Sequence, residues 1–216
     1  EQIVPEDVFL ETEESDPENL FENYTAGLFD YSGYDETINR IIDGILHQRK
    51  CLVSYYSVYE RVNKNFYVEP RRIVYFRGGL YVIIYIRRFE KFRLLAIQRI
   101  KHFDVLEEVH PDEPRFDPAL FWKNKFGLFS ADSCHVKIEF STSARMHIEG
   151  RHWHPSQVFS EGKKGSLILE MDVGLSPELT SWILSWNEYA KVLEPPELIE
   201  KISKKIDKLR KLYPTT

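Results

Sequence analysis

Apolar residues change their spacing along the chain, and each change predicts a different element. Tyr34, Ile38, Ile41, Ile42 and Ile45 recur at helical spacing, so residues 34–50 are expected to form an amphipathic helix. Asp35 is its expected cap, and Arg49 and Lys50 suit its C-terminal end. Strand-type runs follow at 51–59, 65–76, 80–88, 92–97 and 101–106. The connections Arg77-Gly78-Gly79 and Arg88-Phe89-Glu90-Lys91 are short enough for hairpins. A helix followed by five short antiparallel strands predicts a small β-barrel over residues 34–108.

The run H-P-D-E-P-R-F-D-P, residues 110–118, then breaks every periodicity with three prolines. It lies in an expected linker, residues 109–134. Beyond it the pattern resumes as strand 135–140, helix 141–150, strands 156–160 and 166–173, helix 177–187 and strand 189–193. This β-α-β-β-α-β order is the ferredoxin-like pattern, so the class is α+β. Pro195-Pro196 opens a last helix whose Leu198, Ile199, Ile202, Ile206 and Leu209 make an apolar stripe within an extension spanning 135–216.

Charge changes this picture. Residues 1–36 hold twelve acids and no Lys or Arg, whereas residues 40–105 hold fourteen basic and five acidic residues. The net charge of −5 therefore hides a strongly basic middle. Residues 1–33 read as an acidic linker or arm, and the barrel as a surface for an anionic partner. Within 70–103, nine Arg or Lys residues are threaded among strand-type apolar ones, with Glu90 the one acid. A phosphate backbone is the leading candidate for what such a sheet receives.

Other chemistries find no support. The longest apolar run, 80–86, is strand-sized, so no membrane segment is expected. The acidic N-terminus lacks the apolar core of a signal peptide, and a cytoplasmic protein is expected. Cys51 and Cys134 match neither a disulfide framework nor a zinc pattern. His147, His152 and His154, near Cys134-His135, have no closed metal spacing, and His154 with Ser156 lacks an orienting acid. The expectation is a non-enzymatic protein with no cofactor. A start at Glu1 suggests that further residues precede it.

Several motifs resemble those of bacterial WYL-domain transcription regulators. Gly79-Leu80-Tyr81-Val82 stands at the W-Y-L signature, and Arg93 through Arg99-Ile100 follows the R-x-F-x-x-D-R-I stretch without a gap. Tyr55-Tyr56 and the run from Glu69-Pro70-Arg71-Arg72 to Tyr75 look like the first strand and the P-x-x-L-V-Y segment. Trp153-His154-Pro155-Ser156-Gln157, Glu178-Leu179 with Trp182-Ile183-Leu184, and Val192-Leu193-Glu194-Pro195 resemble the C-terminal extension of that family. The resemblance covers about residues 38–213. It implies an Sm-like (SH3-like) barrel that senses a ligand, followed by a ferredoxin-like extension used for dimerisation. The family's N-terminal helix-turn-helix, which meets operator DNA, is absent from this sequence. Leu80 replaces the signature Trp, Val82 its Leu, Leu95 a Phe, Ala96 an Arg and Gln98 an Asp. Loss of the acid at 98 removes a partner for Arg99 or a neighbour.

On an extended strand Arg93, Leu95, Ile97, Arg99 and Lys101 would share one face, and Tyr81, Tyr85 and Arg87 one face of the preceding strand. Arginine forks hold phosphates and tyrosines stack on bases. The expected ligand site is Tyr56, Arg72, Tyr81, Arg87, Arg93 and Arg99. Its expected ligand is a short single strand or oligonucleotide that controls a homodimer. The competing assignment pairs the arginines internally with Glu60, Glu69, Glu90 or Asp104, or lays them over aromatic rings. A second alternative is a protein-interaction module whose basic barrel docks an acidic segment such as residues 1–33.

Overall fold

The computed structural model describes residues 26–111, 113–129 and 131–213. Most of the acidic arm therefore lies outside the described residues. The chain divides into two compact units after Pro114.

The first unit opens with α1 (Asp35–Leu46). Its Ile41 is fully buried, with Ile38 and Ile45 packed beside it. Tyr34, not Asp35, occupies the cap position and makes no side-chain cap hydrogen bond. Asp35 and Glu36 instead place negative charge in the first turn. The helix also ends earlier than expected. Gln48 takes a left-handed conformation (φ 50°), which turns Arg49 and Lys50 into the next strand.

Five strands follow: β1 (Arg49–Ser57), β2 (Val62–Phe76), β3 (Gly79–Ile86), β4 (Lys91–Ala96) and β5 (Ile100–Val109). They form one antiparallel sheet in the order β4-β3-β2-β1-β5. The long β2 belongs to both halves of the sheet, and a register shift between Pro70 and Arg72 breaks its regular pairing there. A bulge at a proline is physically reasonable, because proline gives the ladder no donor. Cys51, Val53, Val68, Val82, Ile84, Ile97 and Phe103 form the core with Ile41. Gly44 lets α1 approach closely: a Cβ there would sit 2.9 Å from Cys51 Sγ and 3.1 Å from Pro70 Cγ.

One expectation needs correction here. The run from Arg93 to Lys101 is not one extended strand, because a 3-10 turn at Ile97–Arg99 separates β4 from β5. Gln98, which stands where the family carries Asp, is itself engaged by another residue. Its Oε1 accepts a hydrogen bond from Tyr31 Oη (3.2 Å), which in turn accepts from the Leu80 amide (2.6 Å). With Phe29 N donating to Gly78 O at 2.9 Å, these bonds hold residues 29–31 of the expected linker against the barrel.

The second unit contains α2 (Pro118–Trp122), β6 (Ser133–Phe140), α3 (Thr142–Glu149), β7 (Val158–Glu161), β8 (Leu167–Gly174), α4 (Pro177–Leu184), β9 (Ala190–Glu194) and α5 (Pro196–Leu212). Its antiparallel sheet has the order β7-β8-β6-β9, the ferredoxin-like arrangement. Val136, Ile138 and Phe140 alternate inward from β6 against Leu167, Leu169 and Met171 of β8. Helix α2 was not expected from the sequence. Asp117 caps it by accepting from Leu120 N, with Pro118 at its first position. Among the described residues no helix is long and apolar enough to cross a membrane.

Candidate ligand-binding groove

The register shift in β2 decides which side chains meet. Residues three apart on a regular strand point to opposite faces. Here Glu69 pairs with Tyr85 and Arg72 with Ile83, so both join the face that carries Tyr81 and Tyr85.

Glu69 is the centre of this face. Only 4% of the residue is exposed. Arg87 Nε donates to its Oε1 at 2.7 Å, and Arg87 Nη2 to its Oε2 at 3.0 Å. Arg71 Nη2 donates to Oε2 at 2.9 Å. Arg71 Nη1 continues to His110, lying 2.7 Å from Nε2 and 3.0 Å from Nδ1, while Nδ1 also contacts the Pro111 carbonyl at 2.9 Å. That pattern suits a neutral imidazole that donates from Nδ1 to Pro111 and accepts at Nε2. Arg71 and Arg87 both lie over the Tyr85 ring, 6.0 and 5.5 Å from its centroid.

The protonation states follow from these contacts. Burial alone would raise the Glu69 carboxyl, but the hydrogen bonds and charges of Arg87 and Arg71 outweigh it and hold the pKa below the ordinary value. Burial lowers the His110 pKa. The Pro111 hydrogen bond opposes this, and the guanidinium charges of Arg71 and Arg87 add to the lowering. Two guanidiniums thus share one carboxylate beside a neutral histidine, and the cluster keeps a net positive charge.

A groove of about 1030 Å³ opens beside this cluster. Glu69, Tyr85, Arg87 and His110 form part of its wall. Among its described lining residues, four cations (Lys50, Lys64, Arg87 and Arg88) face two carboxylates (Glu69 and Glu108). Two exposed rings also line it, Tyr67 at 57% and Phe89 at 61% exposure. Lys50 sits 5.0 Å from the Tyr67 centroid and pairs with Glu108 at 2.9 Å. Arg88 lies over Phe89 at 5.6 Å.

Of the six residues expected at the site, Arg87 alone lines this groove, and it is already paired with Glu69. Arg72 and Tyr81 share the Tyr85 face. Arg93 does not: it pairs with Ile84, on the opposite face with Val82 and Leu95. Tyr56 is half-buried on β1 opposite Asn63, and Arg99 lies exposed in the 3-10 turn after β4. The six therefore do not form one cluster. Internal pairing accounts for part of the basic set, since Glu69 takes Arg71 and Arg87, and Asp104 takes Arg40. Among the described residues, however, Arg88, Lys91, Arg93, Arg99 and Lys101 have no carboxylate partner.

Sequence reasoning missed Lys50, Tyr67 and His110 as groove residues and named Glu69 only as an internal partner for the arginines. They come from β1, β2 and the segment after β5, and the fold of the sheet unites them. Pro70 inside a strand was the one available signal for the shift beside Glu69.

Comparison with known proteins adds a family assignment. A WYL domain matches residues 36–105 and a WCX domain residues 132–210. No curated protein matches significantly. Among solved structures, the proteasome accessory factor B/C of Arthrobacter aurescens is 17% identical over 88% of this chain and 29% of its own, with a TM-score of 0.41. A CRISPR Cas-related protein is 12% identical over 83% of this chain and 52% of its own, with a TM-score of 0.58. The second likeness is one of fold. The chain spans well under two thirds of either protein.

Proposed function

Because the chain belongs to the WYL-domain family and has the domains of a ligand-sensing regulatory part of a transcription regulator, we propose that it is a non-enzymatic sensor of a nucleic-acid-type ligand. The observation that carries this reading is the set of cations without carboxylate partners among the described residues: Arg88, Lys91, Arg93, Arg99 and Lys101. Exposed cations left unneutralised by the fold attract a polyanion, and the exposed Tyr67 and Phe89 rings offer stacking surfaces for bases. Arg72, Tyr81 and Tyr56 border this basic barrel surface in the proposal, with Arg87 held in the groove wall.

Titration of a labelled oligothymidylate into the chain tests the reading. With four phosphate contacts, affinity is expected to fall roughly 50-fold between about 50 and about 200 mM salt, since single strands release about 0.7 counterions per phosphate contacted. Arg93→Ala is expected to weaken binding for every sequence and reduce the salt slope by about 0.7. Salt-independent binding contradicts a phosphate-led site. No binding at either salt concentration favours the alternative, in which the cations dock an acidic protein segment.

In a regulator, such a ligand acts only through its different affinity for two subunit arrangements, one of which presents an upstream domain to operator DNA. We assign dimer contact to the second unit. Ile199, Ile206 and Leu209 of α5 are all more than 40% exposed and form one stripe. Ile206→Glu combined with Leu209→Glu is expected to turn a dimer into a monomer in sedimentation velocity. A wild-type chain that is already monomeric removes the assignment.

A further inference from the structure

The groove beside Glu69 brings an anion-receptive guanidinium and a buried histidine into one wall. We propose that binding of a phosphodiester ligand in this groove is linked to uptake of a proton by His110, so that the ligand binds more tightly as the pH falls below neutrality. This rests on the reading that the ligand is nucleic-acid-like, and it adds how that ligand's affinity is regulated.

The geometry carries the argument. His110 is 5% exposed and lines the groove together with Arg87, Glu69 and Tyr85. The charged groups facing it are Arg71 and Glu69 from β2 and Arg87 from the turn after β3. Lys50 of β1 and Glu108 of β5 line the same groove. In the empty groove the two guanidiniums oppose a further positive charge, and Arg71 Nη1, 2.7 Å from Nε2, occupies the nitrogen that would receive the proton.

An anion in the groove opposes the electrostatic part of this. Its charge offsets that of Arg87, and it favours an imidazolium nearby. The same carboxylate that now serves both arginines is in place for the new charge, because Glu69 Oε2 lies 3.8 Å from His110 Nδ1. As the anion draws Arg87 toward itself, Glu69 is left to Arg71 and the protonated ring. The proton comes from solvent, and no other group need change its charge.

The sign follows from linkage. A histidine held neutral in the free groove and made more basic in the complex binds more protons when ligand is present. Affinity then rises as pH falls through the His110 pKa of the complex, and levels off below that of the free protein. One proton limits the slope to about tenfold per pH unit.

The test uses oligothymidylate with hydroxyl ends, whose phosphodiesters and bases do not titrate over the range. Dissociation constants are measured from about pH 8 to about pH 5.5 at fixed ionic strength, for the wild-type chain and His110→Gln. The expected result is a wild-type affinity that rises several-fold toward acid pH and a flat profile in the variant, whatever the variant's absolute affinity. The six other histidines are common to both proteins, so the comparison isolates position 110. Should the variant fold poorly, calorimetry of the wild type near pH 6.5 in buffers of differing ionisation enthalpy counts the protons directly. Net uptake approaching one proton supports the proposal, and zero uptake overturns it. Binding with a flat wild-type profile, or an unchanged slope in the variant, overturns the linkage and leaves the nucleic-acid reading standing. Absence of binding at every pH overturns both.

Discussion

Replacing Glu69 by alanine is expected to lower the stability of the first unit by about 3–5 kcal/mol, read as a fall in its urea midpoint. Its carboxylate is almost wholly buried and carries both arginines, with Arg71 only 10% exposed. Truncation leaves two guanidiniums close together with no countercharge, one of them without ready access to water. Glu69→Gln is expected to cost less, because the amide oxygen still accepts one hydrogen bond and fills the space. The pH dependence separates the two titrating groups. His110, whose folded pKa is depressed, contributes stability that is complete above about pH 6.5 and declines as the pH falls toward the folded value. Glu69, also depressed, contributes stability present above about pH 4.3 and lost as the pH falls through its folded value. Wild-type stability should therefore fall in two steps on acidification, and Glu69→Ala should lose the lower step. A loss below about 1 kcal/mol would mean that both arginines find water instead, and that the cluster is less enclosed than its geometry indicates.

That cluster marks where sequence stops predicting structure. The helical spacing of Ile38, Ile41 and Ile45 and the alternation of Val136, Ile138 and Phe140 are local, and local periodicity is enough to place α1 and β6. The two hairpins of the barrel were legible for the same reason, because short connections at Gly78 and Glu90 leave the chain few alternatives. The strand interruption at Ile97–Arg99 was not legible. Its residues continue the alternation of their neighbours, so Arg93 and Arg99 appeared to share a face that the turn divides. The register shift at Pro70 likewise inverts the parity of every later residue on β2, which places Glu69 and Arg72 together, while the regular β3–β4 pairing puts Arg93 on the other face. The basic character of the barrel could thus be read from composition. Which cations stay without a carboxylate could not, because Arg87 finds its partner eighteen residues upstream on another strand.

Trp182→Ala is expected to remove about 3–5 kcal/mol from the second unit, comparable to the loss at Glu69 but for the opposite physical reason. Trp182 is 7% exposed and sits among four aromatic rings. Its centroid lies 4.8 Å from Trp153, 4.9 Å from Phe126, 5.8 Å from Phe140 and 6.3 Å from Trp186. The ring thereby joins α4 to β6 and to the segments around Phe126 and Trp153, and its removal leaves a cavity among these rings. Its indole Nε1 is buried with no hydrogen-bond partner among the described residues. The whole effect should therefore come from packing. This distinguishes it from Glu69, where charge compensation dominates. Trp182→Phe tests the distinction: it retains an aromatic contact and removes the unpartnered N–H, so its cost should stay below about 1.5 kcal/mol. Urea denaturation followed by far-UV circular dichroism gives both values without relying on fluorescence from the four tryptophans. If phenylalanine costs as much as alanine, the indole N–H has a partner that matters, and the packing explanation is wrong. If both substitutions are nearly neutral, the aromatic cluster is loose enough to repack, and the family's Trp-Ile-Leu segment owes its place to something other than this core.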